Sequence, residues 1–567
     1  MSKIHWSSPV DGNFDTAADW STGSVPGTSA RVFLDALGGT PYTVTASMSE
    51  TVRAVRTAPT TTLAITGGVF VIRNRIDNRG TIALDGASLE MPGFTTLSGG
   101  GNIVLGGTKT SVLGETGPGV ASLTNVNNTI SGAGRIGGPG FFFENQVAGV
   151  VNATGARALT LEHIVGGANA GLIEATGSGG LTMKRTFINM EAFETGVILA
   201  GAGSAVRLSR SAIDGGTLRS AGSGTFIVKG SVHAGVRSGA AKLTDMNNQA
   251  AIHVARGFLD IGEKIHNAGA IGVTRAASGL AVGIDGVTLS GGGSITLRRG
   301  NAIVGDARMP TLTNIDNTIS GAGLIGGAAL RRHGLKLNNR AQGVIDADRS
   351  GRLTLDTGAH TIVNAGTLEA TGVGRGEVRS AVDNTGTLET SGGGALRFNK
   401  AVTGDGSAII RGGTLAFKGV FAEDVAFTGG AGALELGRSR GYAGAISGFS
   451  KTGGTVLDLR DIGFTGSGEA SFSGDATSGV LTISDGTHTA HLTLIGDYTG
   501  QHFVASSDSR GGTNIIDSGS GAPSPHRLVA AMAGMAGAGA GVAGVAREAW
   551  REPWRPLLAT PGHARFA

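Results

Sequence analysis

The chain has 567 residues, of which 101 are glycine and none is cysteine, and 46 Lys and Arg against 42 Asp and Glu leave a net charge of +4. Without cysteine, a disulfide scaffold and thiolate metal sites are excluded, and scattered basic residues argue against a nucleic-acid footprint. A hydrophobic share of 40% is too high for simple disorder. Abundant glycine with few aromatics suits short β-strands joined by tight turns.

The N-terminal segment, residues 1–35, contains Trp6 and Trp20, and the other two tryptophans lie near the C-terminus. A stack of short strands exposes apolar surface and unpaired backbone at its ends. We therefore expect residues 1–35 to form an N-terminal cap. The first residues lack the apolar run of a cleaved signal peptide.

One phrase occurs twice in the middle of the chain. Residues 123–138 read LTNVNNTISGAGRIGG and residues 312–327 read LTNIDNTISGAGLIGG, with 13 of 16 positions identical. Similar flanking sequence extends the match into two long copies, at about 97–180 and 289–376. In the first phrase we expect Leu123, Val126, Ile130 and Ile136 to face the interior, and its asparagines and glycines to shape turns.

A shorter unit, Asn-x-Gly-x-[Ile/Leu], recurs within and beyond these copies, as at Asn364 and Asn384, which are twenty residues apart. Each unit reads as a turn followed by a strand too short to bury its apolar face alone. Stacked coils of about 20 residues solve this problem. The pattern predicts a right-handed parallel β-helix over 36–440, with asparagine ladders at its turns. Separate β-sandwiches are the alternative, with longer strands and a domain period.

The repeats fade after residue 440. Residues 441–517 alternate polar and apolar positions more densely, which predicts a C-terminal β module. Residues 518–567 read as a linker and an Ala/Gly-rich tail. Its apolar run, 529–546, consists of small residues that contribute little transfer energy, so we expect no transmembrane span. A Gly-x-Gly-x-x-Gly pattern at 539–544 follows no strand and does not predict nucleotide binding.

Parallel β-helices include polysaccharide lyases and hydrolases, and hydrolysis needs paired carboxylates. The best local cluster is Asp346, Asp348 and Asp356. The first copy carries Asn152 and Glu162 in the places of Asp346 and Asp356, so the copies disagree on the acids. Decoration of loops explains this better than catalysis, and no catalytic residue is predicted firmly. The enzyme stays open as an alternative.

No metal site is predicted firmly either. Asp458 and Asp461 offer carboxylate oxygens that could bind a cation, although solvent-facing charges explain them as well. His488 and His491 are three residues apart, which places them on opposite faces of a strand. We expect no cofactor, and calcium remains an alternative without a supporting repeat.

Several stretches resemble long bacterial repeat exoproteins. Residues 11–27, DGNFDTAADWSTGSVPG, resemble their N-terminal opening, and LTNVNNTISGAG with the following NQVAGVVNATG is similar to their solenoid repeats. Residues 479–513 resemble a C-terminal module found near calcium repeats in type I secreted proteins. This chain departs from that module at residues 508–512, DSRGG, and lacks the calcium nonapeptide. The resemblance implies an extracellular or cell-surface, adhesin-like protein.

Together these features predict a non-enzymatic, exported bacterial surface or matrix protein, an adhesin-like rod that presents repeated loops. The alternative is a β-helical polysaccharide lyase or hydrolase. Surface glycans or other matrix proteins are the expected partners, with no nucleic acid, and the oligomeric state is open. Without an N-terminal signal, we expect export through a C-terminal signal within residues 526–567. A flexible tail, or a helix that packs on the last rung, is the alternative for these residues.

Overall fold

The computed structural model describes residues 2–114, 120–190, 195–230, 240–305, 308–327 and 334–519. It is a parallel β-solenoid of about 18 turns, nearly all β. Two short 3₁₀ helices, Ala17–Asp19 and Ser439–Gly441, are its helical elements in these ranges. The parallel β-helix predicted from the repeats is confirmed. We call each turn of the solenoid a rung.

The strands are short and numerous, as the repeat length requires. In the first part they are β1 Lys3–His5, β2 Gly12–Asn13, β3 Arg31–Leu34, β4 Tyr42–Ala46, β5 Glu50–Thr57, β6 Thr61–Ile65, β7 Val69–Asn78, β8 Thr81–Asp85, β9 Ser88–Glu90, β10 Gly93–Ser98, β11 Asn102–Gly106, β12 Val112–Gly114, β13 Ala121–Asn125, β14 Thr129–Gly132, β15 Gly134–Asn145, β16 Val150–Ala153, β17 Leu159–Asn169, β18 Leu172–Ala175, β19 Leu181–Lys184 and β20 Phe187–Asn189.

The middle part continues in the same way. Its strands are β21 Val197–Ala200, β22 Ala205–Ser209, β23 Ala212–Asp214, β24 Thr217–Ser220, β25 Thr225–Lys229, β26 Ala241–Gln249, β27 Ala251–Arg256, β28 Phe258–Asn267, β29 Ala270–Val273, β30 Gly279–Ser290, β31 Ser294–Leu297, β32 Ala302–Val304, β33 Thr311–Asn314, β34 Thr318–Gly321, β35 Gly323–Gly326, β36 Lys336–Asn339, β37 Val344–Ala347 and β38 Arg352–Asp356.

The last part ends in a region of longer strands. Its strands are β39 Ile362–Asn364, β40 Thr367–Ala370, β41 Arg375–Val378, β42 Val382–Asn384, β43 Thr387–Thr390, β44 Ala395–Phe398, β45 Val402–Thr403, β46 Ser407–Ile410, β47 Thr414–Phe417, β48 Asp424–Phe427, β49 Gly432–Leu436, β50 Ala445–Ser447, β51 Thr455–Leu459, β52 Ala470–Gly474, β53 Ser478–Ser484, β54 Thr489–Ile495, β55 Phe503–Ser507 and β56 Thr513–Asp517.

Parallel pairing between rungs builds three sheets along the rod. Sheet 1 runs through β10, β13, the second halves of β15 and β17, β20, β23, the first halves of β26, β28 and β30, and then β32, β35, β38, β41, β44, β47, β49 and β51. Sheet 2 runs through β11, β14, β16, β18, β21, β24, the second halves of β26, β28 and β30, and then β33, β36, β39 and β42. Sheet 3 runs through β12, the first halves of β15 and β17, β19, β22, β25, β27, β29, β31, β34, β37, β40, β43, β46, β48 and β50.

The two long copies occupy different faces of the rod. Leu123 of the first copy lies in sheet 1, whereas its equivalent Leu312 lies in sheet 2. The copies are therefore offset by one sheet, and equivalent surface residues point in different directions. Sequence spacing gave no sign of this, because it measures residues and not rungs.

Apolar side chains of alternate strand positions fill the interior. Leu123, Ile130 and Ile136 are fully buried, as expected. The prediction for Val126 is wrong, since it is only half-buried. The chain turns directly after Asn125, whose amide side chain enters the interior and accepts a hydrogen bond from the backbone N–H of Asn128 at 3.0 Å.

Buried asparagines form ladders along the rod, as predicted. The Asn125 Nδ2 donates to Asn145 Oδ1 and the Asn145 Nδ2 to Asn169 Oδ1, each at 2.9 Å. In the second copy the Asn314 Nδ2 donates to Asn339 Oδ1 at 2.9 Å, and the Asn339 Nδ2 to Asn364 Oδ1 at 2.8 Å. These amides satisfy polar groups that would otherwise be buried without partners.

Each ladder skips one rung at a run of three glycines. The Asn78 Nδ2 donates to Asn128 Oδ1 at 3.0 Å across the rung of Gly101, and the Asn267 Nδ2 donates to Asn317 Oδ1 at 2.7 Å across the rung of Gly293. A Cβ at either glycine would lie 2.8 Å from the Nδ2 of the bridging asparagine. The repeated phrase, with its two buried asparagines, and the repeated SGGG thus form one structural feature, in which an asparagine ladder bonds across the glycine rung.

The two ends of the described chain differ. Near the N-terminus the rings of Trp6 and Trp20 meet edge-on at 4.9 Å, and Phe14 contacts Phe70 at 5.3 Å. Parallel pairing already includes β1 with β3, and among the strands antiparallel pairing begins with β51 and β56. The bounds of cap, solenoid and module drawn from the sequence stay predictions. Within the described ranges, no helix is long and apolar enough to cross a membrane.

Most of the tail lies outside the described residues, which end at residue 519. The predicted export signal, the apolar run 529–546 and the glycine pattern 539–544 belong to that part.

Candidate functional site

Three carboxylates lie one above another on the outer face of sheet 3. Asp346 of β37 is paired with Glu369 of β40, which is paired with Glu389 of β43. Neighbouring strands are about 4.8 Å apart. We call Asp346, Glu369 and Glu389 the acid column.

Burial and the repulsion between neighbouring carboxylates favour the protonated form of carboxyl groups in the acid column. Burial, together with the charges of Asp346 and Glu389, raises the pKa of Glu369 to about 7. Burial also raises the pKa of Asp346, although the Thr371 hydroxyl donates to its carboxylate at 2.9 and 3.1 Å. The Arg411 Nε binds Glu389 Oε1 at 2.6 Å. The column thus places a carboxyl that is neutral below about pH 7 between two other acids.

The structure does not bring the three predicted acids together. Asp348 lies in the turn after β37, where the Arg349 Nε is 3.7 Å from its Oδ1, and its charge raises the pKa of Asp346. Asp356 ends β38 in sheet 1 and accepts the backbone N–H of Gly358 at 3.2 Å. Asp346 therefore shares a column with Glu369 and Glu389 and not with Asp356.

Asp458 and Asp461, the two candidate metal ligands, differ in their surroundings and in the direction of their pKa shifts. Asp458 is 3% exposed on β51, and burial raises its pKa to about 7 although Arg460 opposes the shift. Burial would raise the pKa of Asp461, but hydrogen bonds from Ser439 and Arg440 lower it overall. In the part of the chain that the structure describes, no group of three or more His, Cys, Asp or Glu could hold a metal ion.

The two histidines of the C-terminal region have different partners. His488 precedes β54, and its Nδ1 lies 3.0 Å from Asp485 Oδ2. His491 lies on β54, with its Nδ1 3.2 Å from the Thr482 hydroxyl. They do not form a common site.

An exposed aromatic column runs along the outer face of sheet 1 in the first copy. Phe94 is paired with Ser122, which is paired with Phe142. Phe142 is paired with Gly166, whose chain neighbour Gly167 is opposite Ile188, next to Phe187. The phenylalanines are 78%, 41% and 38% exposed. We call Phe94, Phe142 and Phe187 the aromatic column.

The small residues between these rings are part of the arrangement. A Cβ at Gly166 would lie 2.6 Å from two carbons of the Phe142 ring, so this ring rests on the glycine backbone. Thr96, Thr124 and Glu144 follow two positions later on the same strands and the same face. The Thr124 hydroxyl donates to Glu144 Oε2 at 3.2 Å. A polar row therefore runs beside the aromatic column.

Sequence reasoning missed Glu369, Glu389 and the aromatic column. The phrases TLEATG and TLETSG, twenty residues apart, did contain a signal, because one rung of separation stacks the two glutamates. The phenylalanines occur in unrelated phrases at irregular separations, so only the register of the strands reveals their alignment.

Comparison with known proteins adds no assignment, since no protein-family model matches the chain and no curated protein matches it significantly.

Proposed function

We propose that the protein is an exported bacterial surface or matrix protein, an adhesin-like rod that binds extended glycans through its aromatic column. The observation that carries this proposal is the alignment of Phe94, Phe142 and Phe187 on every second rung of a rigid sheet. Aromatic side chains are enriched at binding surfaces, and here three exposed rings face the same side of one sheet. The resemblance to long repeat exoproteins supports the same function.

The spacing of the column favours a linear sugar chain. Two rungs correspond to about 9.6 Å. In an extended β-1,4-linked glycan every second sugar ring presents the same face, with a repeat close to this spacing. The flat, apolar face of a phenylalanine ring suits the C–H-rich face of a sugar, and the polar row offers partners for hydroxyl groups. Several weak contacts on one rigid support would add up through avidity.

Isothermal titration of the full-length protein with cellohexaose and chitohexaose tests the proposal. We expect binding by one of them and a loss of at least about tenfold in affinity for Phe142→Ala, with a further loss for the triple alanine variant. Ile315→Ala removes an equally exposed apolar side chain, 38% exposed, in the second copy and serves as the matched control. Equal affinities for the control and triple variants would contradict the proposal.

Export through residues 526–567 is tested separately. The native cells are fractionated with the full chain and with a chain that lacks these residues. We expect the full chain outside the cell and the shortened chain inside. Retention of both in the cytosol would rule out export by this segment.

The acid column favours a second candidate, a polysaccharide hydrolase. Adjacent members lie near the ~5 Å carboxylate separation of retaining enzymes, and the outer pair near the ~9 Å upper range of inverting ones. Glu369 would be the acid and Asp346 or Glu389 the partner. Release of reducing ends from polysaccharides that disappears in Glu369→Gln and in either Asp346→Asn or Glu389→Gln, but persists in Glu174→Gln of the first copy, would establish this activity.

A further inference from the structure

Sheet 1 and its polar row continue towards the N-terminus beyond the aromatic column. The sheet adds the second halves of β7 and β5, and then β3 and β1, in parallel register. Arg75 is paired with Thr96 of the polar row. Ala54 is paired with Arg75 on one side and with Arg31 on the other, and Lys3 lies beyond Arg31. These side chains point outwards, because the strand positions next to them are buried.

Two arginines of this continuation lie two rungs apart with a small residue between them. Arg31 and Arg75 are separated along the rod by about 9.6 Å. Together with Ala54 they line one surface pocket of about 200 Å³. The short side chain of Ala54 leaves room between the two long ones. We call Arg31 and Arg75 the arginine pair.

The arginine pair has no acid of its own. Asp77, which also lines the pocket, is bound by other arginines: its Oδ1 accepts the Arg79 Nε at 3.2 Å, and its Oδ2 lies 3.5 Å from the Arg56 Nε. Within the described ranges, neither member of the arginine pair forms an ion pair. The pocket therefore offers two guanidinium groups, which bind carboxylates in a bidentate manner.

The arginine pair and the aromatic column lie on alternate rungs. If β3 is counted as the first rung, the arginine pair lies on the first and third rungs. The phenylalanines of the aromatic column follow on the fourth, sixth and eighth rungs. Glu144 shares the sixth rung with Phe142. Free positive charge thus occurs on odd-numbered rungs, and a carboxylate occurs with the rings on even-numbered ones.

This alternation matches a glycan built of two different sugars. Two rungs correspond to one disaccharide, so successive sugars of an extended chain meet odd-numbered and even-numbered rungs in turn. A carboxylate on the sugars at odd-numbered rungs would meet the arginine pair. A carboxylate on the sugars at even-numbered rungs would face the charge of Glu144 and be repelled.

We propose that the glycan bound by the aromatic column carries one uronic acid in every disaccharide, and that Arg31 and Arg75 bind its carboxylates. This inference rests on the proposed function and names its substrate class. The neutral sugars stack on the phenylalanines, and the uronates occupy the rungs between them. The arginine pair belongs to the polar row, so each guanidinium group meets the edge of a sugar ring and not its face.

Isothermal titration of the full-length protein with two matched probes tests the proposal. One is a hyaluronan decasaccharide, in which glucuronate and N-acetylglucosamine alternate, and the other is the same chain with its carboxyl groups reduced to alcohols. We expect the intact probe to bind at least about tenfold more tightly at low salt. This difference should shrink at high salt, because the groups involved are exposed.

Substitutions assign the difference to particular residues. The double variant Arg31→Ala with Arg75→Ala should remove the difference between the two probes, and the corresponding double lysine variant should retain part of it. Arg219→Ala removes an exposed arginine of β24 in sheet 2 and should change neither affinity. Phe142→Ala should weaken the binding of both probes.

A third probe tests the alternation itself. A β-1,4-linked oligomannuronate carries a carboxylate on every sugar, so we expect it to bind more weakly than the hyaluronan probe. Glu144→Gln should improve its binding by at least about threefold and leave hyaluronan binding nearly unchanged. Equal binding of both acidic probes would contradict the alternation and overturn the proposal.

The outcomes separate this inference from the proposed function. Equal affinity for the intact and reduced probes, with both weakened by Phe142→Ala, would overturn the inference and leave the proposed function standing. Binding that depends on the arginine pair but not on Phe142 would overturn both. If the protein binds cellohexaose or chitohexaose but not the intact hyaluronan probe, the inference alone is overturned.

Discussion

The two long copies share their interior and differ on their surface. In the first, the Asn145 Nδ2 donates to Asn169 Oδ1 and to the carbonyls of Gly149 and Leu172. In the second, Asn339 makes the corresponding three bonds to Asn364, Gly343 and Thr367. Stacking therefore constrains the interior in the same way in both copies, although they lie on different sheets.

Equivalent residues on the outer faces of the two copies show the opposite behaviour. In the first copy the Asn152 Nδ2 donates to Glu174 Oε1 at 2.6 Å. In the second copy Asp346 occupies the place of Asn152 and has no proton to donate when ionised, so Glu369 meets a charge where Glu174 meets an amide. One amide-to-acid change turns a hydrogen-bonded pair into a repelling one, and the fold tolerates both.

The largest effect is expected from removing a ladder asparagine. Asn145→Ala and Asn339→Ala each leave several buried groups without partners, which costs about 3 kcal/mol. Since repeat arrays need not unfold in one step, native-state hydrogen exchange of the neighbouring strands is the measurement. Asn152→Ala on the outer face is the control, with a loss below about 1 kcal/mol. A large difference between the two ladder variants would disprove the equivalence of the interiors.

The glycine rungs give the next largest effect. A Cβ at Gly101 would lie 2.4 Å from the Gly80 carbonyl oxygen, and one at Gly293 would lie 2.3 Å from that of Asn267. Gly101→Ala and Gly293→Ala should each cost about 2 kcal/mol through the forced backbone shift. Gly292→Ala has open space but a positive φ, so it reports backbone strain alone. If it costs as much as Gly293→Ala, the bridging contact is not the cause.

The contrast between a constrained interior and a variable surface also explains how much of the structure could be predicted from the sequence. Repeated phrases predicted the solenoid and the asparagine ladders, because stacking demands like residues at like positions. They could not predict the acid column fully, since Asp346 and Glu369 belong to different phrases. Val126 was misplaced because alternation alone does not show where the chain turns. The offset of the copies by one sheet depends on the lengths of the loops. The number of residues between the copies therefore does not give the number of rungs between them.

The acid column predicts that stability depends on pH. Giving the column the amide that the first copy carries should weaken this dependence. The folded-state pKa of Glu369 is about 7, above the ordinary glutamate pKa of about 4.5. The folded state therefore holds the Glu369 proton more tightly than the unfolded state does. The resulting contribution to the free energy of unfolding is complete below about pH 4.5 and is lost as pH rises towards 7. Asp346→Asn restores the amide of the first copy, should lower the pKa of Glu369 and should flatten this dependence. The carboxyl is followed by NMR with ¹³C-labelled glutamate, assigned through Glu369→Gln. An unchanged pKa would show that burial alone sets it.

The smallest effect is expected where the copies differ within the shared phrase itself. Arg135 and its equivalent Leu324 both lie half-exposed on the outer face of their strands. Exchanging them, Arg135→Leu with Leu324→Arg, should change stability by less than about 0.5 kcal/mol, because neither side chain enters the interior. Hydrogen exchange of β15 and β35 measures this, with Ile136→Ala as the control that should cost about 3 kcal/mol. A marked loss for the exchange would mean that the surface of this phrase is constrained as well, and that its repetition is not explained by stacking alone.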